Sequence, residues 1–201
     1  MDNLDTIIRR GGLHAPNQVP DDGLPYRFCH SAEVESARVD VPIHLGPGGM
    51  IHDYVPFYFG YLSPMMLNLK TGRVGGYSEG QEPLIYLLSS AQAIGAAGLD
   101  FVFSDGHGLA TITEWFDELG RLDAVDWTMV NQRYWTDTID DMDRQRRKQA
   151  EFLVYQCCPW SLIQEIVVID STMRQRVETI QAAFPVPQRR VVTVKREWYY
   201  W

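Results

Sequence analysis

The sequence predicts an α+β domain, on three observations. Short runs with strand character mix with short amphipathic helices. They do so without the regular strand–helix repeat that builds a doubly wound sheet. And 201 residues with 45% hydrophobic side chains are enough for one core, so a single domain over residues 1–201 is expected.

Residues 2–10 read as a short helix: Asp2 caps it, Leu4, Ile7 and Ile8 line one face, and Gly11-Gly12 end it. Pro16, Pro20, Gly23 and Pro25 make residues 15–27 a loop. A second short helix is expected over residues 30–38, with Ser31 as its cap, and residues 42–49 are irregular. Residues 54–59 and 65–69 read as strands, with Ser63-Pro64 in the turn between them. A strand over 84–88, a small helix over 90–97 and a buried strand over 101–103 follow, ending at Ser104-Asp105-Gly106-His107. Residues 111–122 read as an amphipathic helix. Residues 123–143 are too long for a plain connection in a compact domain, which makes them a candidate functional loop. Strands over 151–155 and 166–169, a helix over 173–184 and a strand over 191–194 complete the chain.

A formal net charge of −8 argues against a general basic coat for nucleic acid. Positive charge is nevertheless concentrated, in Arg144, Arg146, Arg147 and Lys148 and again in Arg189, Arg190, Lys195 and Arg196; Asp137, Asp140, Asp141 and Asp143 lie just upstream of the first group. The 3 cysteines, Cys29 and the neighbours Cys157 and Cys158, do not make a disulfide framework, and a reducing cytoplasm fits them best. The acidic N-terminus lacks a signal-peptide core, and the longest apolar region, residues 84–103, is interrupted by Ser89, Ser90, Gln92, Gly95, Gly98 and Asp100. No membrane span is expected.

The segment from Arg144 to Tyr155 is the most informative. Four cations lead into Glu151, and period-2 alternation places Glu151, Leu153 and Tyr155 on one face of a strand. A carboxylate opening an apolar strand is costly to bury without a partner or a task. Arginines and a lysine beside it suit phosphates. The same residues also read as a solvated basic helix end followed by an edge strand with one exposed Glu.

His52-Asp53 and Asp105-Gly106-His107 invite a metal reading, but a two-metal hydrolase needs more ligands at recognisable spacings, and the 5 histidines are scattered singly. Gly46-Pro47-Gly48-Gly49 lacks the Gly-Lys-Ser/Thr of a phosphate loop and reads as a hinge. Tyr54, Phe57, Tyr58, Phe59 and Tyr61 are dense enough that one face can form core while the other stacks a base.

Several segments carry a specific likeness when taken in order. They are Asp2-Asn3-Leu4 with Gly11-Gly12-Leu13, Arg38 with Ile43, and Gly49-Met50-Ile51-His52-Asp53-Tyr54-Val55-Pro56-Phe57-Tyr58-Phe59. After these come Ser63-Pro64-Met65, Phe103-Ser104-Asp105-Gly106-His107, Asp126-Trp127, and Lys148-Gln149-Ala150-Glu151-Phe152-Leu153-Val154. Together they resemble the DarT family of DNA ADP-ribosyltransferase toxins.

The resemblance implies a single-domain ADP-ribosyltransferase-like fold with a central mixed or antiparallel sheet and short flanking helices. It implies transfer of ADP-ribose from NAD, without a metal, to thymine in single-stranded DNA, and restraint by a macrodomain-type antitoxin such as DarG. Glu151 would be the catalytic glutamate and Arg38 the NAD-binding and catalytic arginine. Residues 104–151 would read the DNA, with His107, Arg144, Arg146, Arg147 and Lys148 as contacts, and residues 22–43 would cover NAD.

The chemistry agrees with this assignment. Breaking the nicotinamide–ribose bond builds positive charge on the sugar, which a fixed carboxylate stabilises, while an arginine fork suits a pyrophosphate. The family also credits the arginine with helping to remove the base proton, for which a guanidinium is a poor base. The family begins with a strand bearing His-x-Thr ahead of Asp-Asn-Leu. Here Met1 directly precedes Asp2, so Thr6 and His14 are assigned to NAD by position alone. Two alternatives stay open: guanine as the modified base, and a catalytically weak NAD- or DNA-binding module.

Overall fold

The structure is a computed structural model that describes residues 1–27 and 32–201, with Ala32 by its backbone. Helix α1 (Leu4–Arg9) buries Leu4, Thr6, Ile7 and Ile8. Its N-cap is Asn3 rather than Asp2, and no side-chain cap bond forms. The Asn3 amide instead clamps the backbone of Arg27, donating to its carbonyl at 2.6 Å and accepting from its N–H at 2.7 Å. Gly11 turns the chain at φ +73°, and strand β1 (Gly12–His14) follows.

Helix α2 (Ala32–Val39) carries Arg38; His30 and Ser31, the expected start and cap, lie outside the described residues. Residues 42–50 are not a loose hinge. A Pro42–Met50 bridge closes them, and the Tyr54 hydroxyl donates to the Gly48 carbonyl at 2.7 Å. A 3₁₀ turn (Ile51–Asp53) leads into β2 (Tyr54–Tyr58).

The expected strand over 65–69 is a helix, α3 (Pro64–Lys70). Ser63 accepts a bond from the Met66 N–H and Pro64 occupies the first turn, so the pair starts a helix rather than making a turn. Strand β3 (Tyr86–Leu88), helix α4 (Ala91–Ala96, capped by Ser90) and strand β4 (Phe101–Ser104) come next. The expected helix over 111–122 is replaced by strand β5 (Trp115–Phe116) and a 3₁₀ turn (Leu119–Ala124). Phe116 pairs with Phe103 and stacks on its ring at 5.2 Å, so sheet pairing overrides the helical period of this short segment.

Residues 123–143 hold one helix, α5 (Trp127–Val130), capped by Asp126. After it come α6 (Arg144–Lys148), β6 (Glu151–Tyr155), β7 (Cys157–Pro159), β8 (Glu165–Val168), α7 (Ser171–Ala182, capped by Asp170) and β9 (Val191–Val194).

The class is α+β, and among the described residues the strands are divided among three sheets: antiparallel β2-β6-β4-β5, mixed β3-β8-β9, and the ribbon β1-β7. Strand β6 is internal and covered on both faces. Phe152 and Val154 join the large core with Phe103, Ile94 and Ile166, while Leu153 packs with Tyr54, Val102, Ile43 and Ile51. That double burial explains its near-continuous apolar sequence and places Glu151, at its start, out of solvent. Strands β2 and β3 end their sheets, and a cleft of about 390 Å³ lies along them, walled by Phe57, Phe59, Phe152, Tyr86, Trp127 and Trp198.

Candidate active site

Glu151 is 2% exposed and faces Tyr58 across the β2–β6 ladder. Its N–H donates to Ser104 Oγ at 3.1 Å, and that hydroxyl donates to the Gly106 carbonyl at 2.6 Å. One serine thus fixes both the start of the strand and the turn before His107. Onto this carboxylate α2 lays the Arg38 guanidinium, with Nη1 on Oε1 at 2.9 Å and Nη2 on Oε2 at 2.8 Å. Burial opposes the Arg38 charge, but Glu151 outweighs it and holds the proton more tightly than usual. The bidentate form is the strong geometry for this pair.

Three further groups face this pair. Burial, reinforced by Glu151, raises the Tyr58 phenol well above its ordinary range, so it stays a neutral hydrogen-bonding group. Burial lowers the His107 imidazole below its usual 6.5; Glu151 opposes that shift and Arg38 adds to it. His107 is therefore neutral near pH 7. One turn ahead of Arg38, Glu35 Oε1 lies 3.2 Å from His52 Nε2.

Arg38 and Glu151 are therefore brought together, and His107 lies within their field. The other expected site residues are placed differently. Thr6 is 1% exposed and its hydroxyl donates to the Pro25 carbonyl at 2.7 Å, which ties it to the loop ahead of α2. Arg10 ties the same loop through Asp22, at 2.6 and 2.8 Å. His14 lies in the β1–β7 ribbon opposite Cys157, and its Nε2 is buried with no hydrogen-bond partner among the described residues.

The basic run does not form a free phosphate clamp. Lys148, 1% exposed, donates to the carbonyls of Tyr61, Val130 and Gln132 at 2.8, 2.6 and 2.8 Å. Its expected role as a DNA contact would require the ammonium to leave these three carbonyls. Arg146 forks onto Asp143 at 2.7 and 2.8 Å and reaches Asp105 at 2.8 Å. Arg147 binds Asp126 and Asp141. Arg144 donates to the Tyr134 and Thr136 carbonyls at 2.6 and 3.0 Å.

Helix α6 thus staples the 123–143 stretch in place with charge-assisted bonds. The acids just upstream, Asp141 and Asp143 above all, were the sequence signal for this internal pairing. Glu35 carried no such signal; only its position one turn before Arg38 could have found it. Among the described residues, no three or more His, Cys, Asp or Glu side chains converge as a metal group would require.

Fold and site define a class: an α+β domain with a buried carboxylate held by an arginine fork. A family profile described as "ssDNA thymidine ADP-ribosyltransferase, DarT" matches residues 1–200, and the chain belongs to that family. A DNA ADP-ribosyl transferase from Thermus sp. (strain 2.9) is 41% identical over 201 residues, covering 100% of this chain and 92% of the relative. The structure of Thermus sp. 2.9 DarT with ADP-ribosylated ssDNA superimposes with a TM-score of 0.91 at 40% identity, covering 99% of this chain and 92% of the other. The same protein in complex with NAD+ superimposes with a TM-score of 0.86 at 39% identity, covering 99% and 93%.

Proposed function

We propose that this chain transfers ADP-ribose from NAD to thymine in single-stranded DNA, with Glu151 and Arg38 at the reacting centre. The observation that carries the reading is the buried Arg38–Glu151 fork on a scaffold of this family. In the reaction the bond between nicotinamide and the ribose C1′ breaks, nicotinamide leaves with the electron pair, and a nitrogen of the base forms the new bond to C1′ while its proton passes to solvent. Glu151 stabilises the positive charge on the sugar and accepts a ribose hydroxyl. Arg38 exchanges the carboxylate for the dinucleotide's phosphates, a second partner that its planar fork matches.

Tyr58 and His107, both neutral, offer hydrogen bonds to the substrates without adding charge beside the cationic centre. The stapled 123–143 loop stands before the strand that carries Glu151, where a DNA strand must present its base. A macrodomain-type antitoxin of the DarG kind is the partner expected to restrain such a toxin, and the cytoplasm is where it would meet DNA and NAD. Among the described residues no helix is long and apolar enough to cross a membrane.

Mass spectrometry of thymine-containing and thymine-free oligonucleotides incubated with NAD tests the reading. An ADP-ribose adduct confined to thymine supports it. An adduct on guanine overturns the base, and no adduct on either overturns the activity.

A further inference from the structure

Two of the ties of helix α2 bear on the site. The first is Arg38 on Glu151. The second is Glu35, three residues earlier and on the same face of the helix, against His52. His52 is 6% exposed and sits in the 3₁₀ turn that enters β2, the strand that brings Tyr58 opposite Glu151. Its Nε2 lacks a well-aligned hydrogen bond among the described residues, and the Glu35 carboxylate at 3.2 Å is its charged neighbour. A buried ring nitrogen in that position costs free energy unless a partner holds it.

The two ties have different fates in the reaction. Once Glu151 turns to the ribose and Arg38 to the phosphates, the first tie is gone. The second makes no hydrogen bond to either reacting group, although the Glu35 carboxylate also favours the Arg38 charge. We propose that Glu35 and His52 are a positioning pair that keeps α2 docked over the site while Arg38 exchanges Glu151 for NAD. The inference rests on the proposed reading of Arg38 and Glu151 and assigns these two residues to NAD retention, not to bond breaking.

The test uses Glu35→Ala, His52→Leu, the double variant and His52→Gln, which keeps a side-chain N–H donor. Loss of the 3.2 Å Glu35–His52 contact predicts a rise in the KM for NAD in each single variant, with kcat changed less than about twofold. The double variant should be no worse than the poorer single, since the two residues share one interaction, and His52→Gln should recover part of the loss. A fall in kcat at unchanged KM, or additive losses in the double variant, overturns the proposal.

Amide hydrogen exchange over residues 32–39 in the NAD-free protein gives an arm that does not need turnover. Glu35→Ala should speed it, and wild-type protection in that variant also overturns the proposal, even if His52→Leu fails to fold. If wild-type protein modifies no DNA, the reading of the reaction fails, while the exchange arm still decides whether this pair docks α2.

Discussion

Arg38 covers both carboxylate oxygens of Glu151 across 113 residues of sequence. The acid proposed to meet the ribose is therefore already engaged, and its partner is the group that suits a dinucleotide's phosphates. On that proposal NAD binding is an exchange of partners within a site where both charges are desolvated. Leaving either charge alone there is the costly alternative, on the order of 3–5 kcal/mol for a rigid buried pair.

Glu151→Gln should lower transfer by about 100-fold or more, because the amide cannot stabilise charge that forms only in the transition state. The fold should survive, since the amide oxygen still accepts one of the Arg38 hydrogen bonds. Single-turnover transfer read beside a thermal melt checks this. Near wild-type turnover with an unchanged melt would remove Glu151 from the site.

Arg38→Ala should weaken NAD binding by about tenfold to a hundredfold, the scale of hydrogen bonds to charged groups. Arg38→Lys should recover only part, because a point charge cannot span two oxygens as a planar fork does. Calorimetric titration with NAD separates the two. Equal affinity in Arg38→Lys and wild type would show that the fork geometry is irrelevant to the cofactor.

Much of the scaffold was legible from pattern alone. The 151–155 strand, the small helix after Ser90 and the C-terminal helix and strand follow from period and caps. Strands β1 and β7 and helix α5 were not read at all, and two other segments were misread. Ser63-Pro64 suits a turn and a helix start equally, and only the packing of Met66 and Leu69 decides between them. Residues 111–122 carry a helical period, yet Phe116 is drawn into β5 by its stack on Phe103. The Arg38–Glu151 pair was reached through family likeness, since no local period links residues so far apart. The internal partners of the run 144–148 were not legible, because charge in sequence does not say which way a side chain points: Arg146 and Arg147 meet acids, while Arg144 and Lys148 meet backbone carbonyls.

His107 should make the protein more sensitive to acid. Its folded-state pKa lies below the ordinary 6.5, so as pH falls through that value the unfolded chain binds more protons than the folded one. Stability is then lost toward low pH and is unaffected by this group above about 7. His107→Gln should flatten the decline of Tm between about pH 7 and 5 relative to wild type. An identical decline in both proteins would show that the imidazole is not desolvated.

The basic helix gives the sharpest divergence between sequence and structure, and salt resolves it. Were Arg146 and Arg147 phosphate contacts, replacing each with Gln would flatten the dependence of log affinity on log salt by roughly 0.7 for a single strand. Their forks are instead committed to Asp105, Asp126, Asp141 and Asp143. Arg147→Gln should therefore leave the salt slope within less than one contact of wild type, while limited proteolysis within residues 131–143 speeds up. Lys148→Met should be the most disruptive of the series, because it leaves the carbonyls of Tyr61, Val130 and Gln132 without their shared donor inside the protein. Unsatisfied buried acceptors cost about 1–3 kcal/mol each. Burial drives the Lys148 ammonium down to about 8, yet three carbonyls at hydrogen-bond distance oppose that shift. A melt lowered by several degrees with an unchanged salt slope fits a lysine that builds the loop. A slope flattened by a full contact, with the melt intact, would put it on the DNA after all.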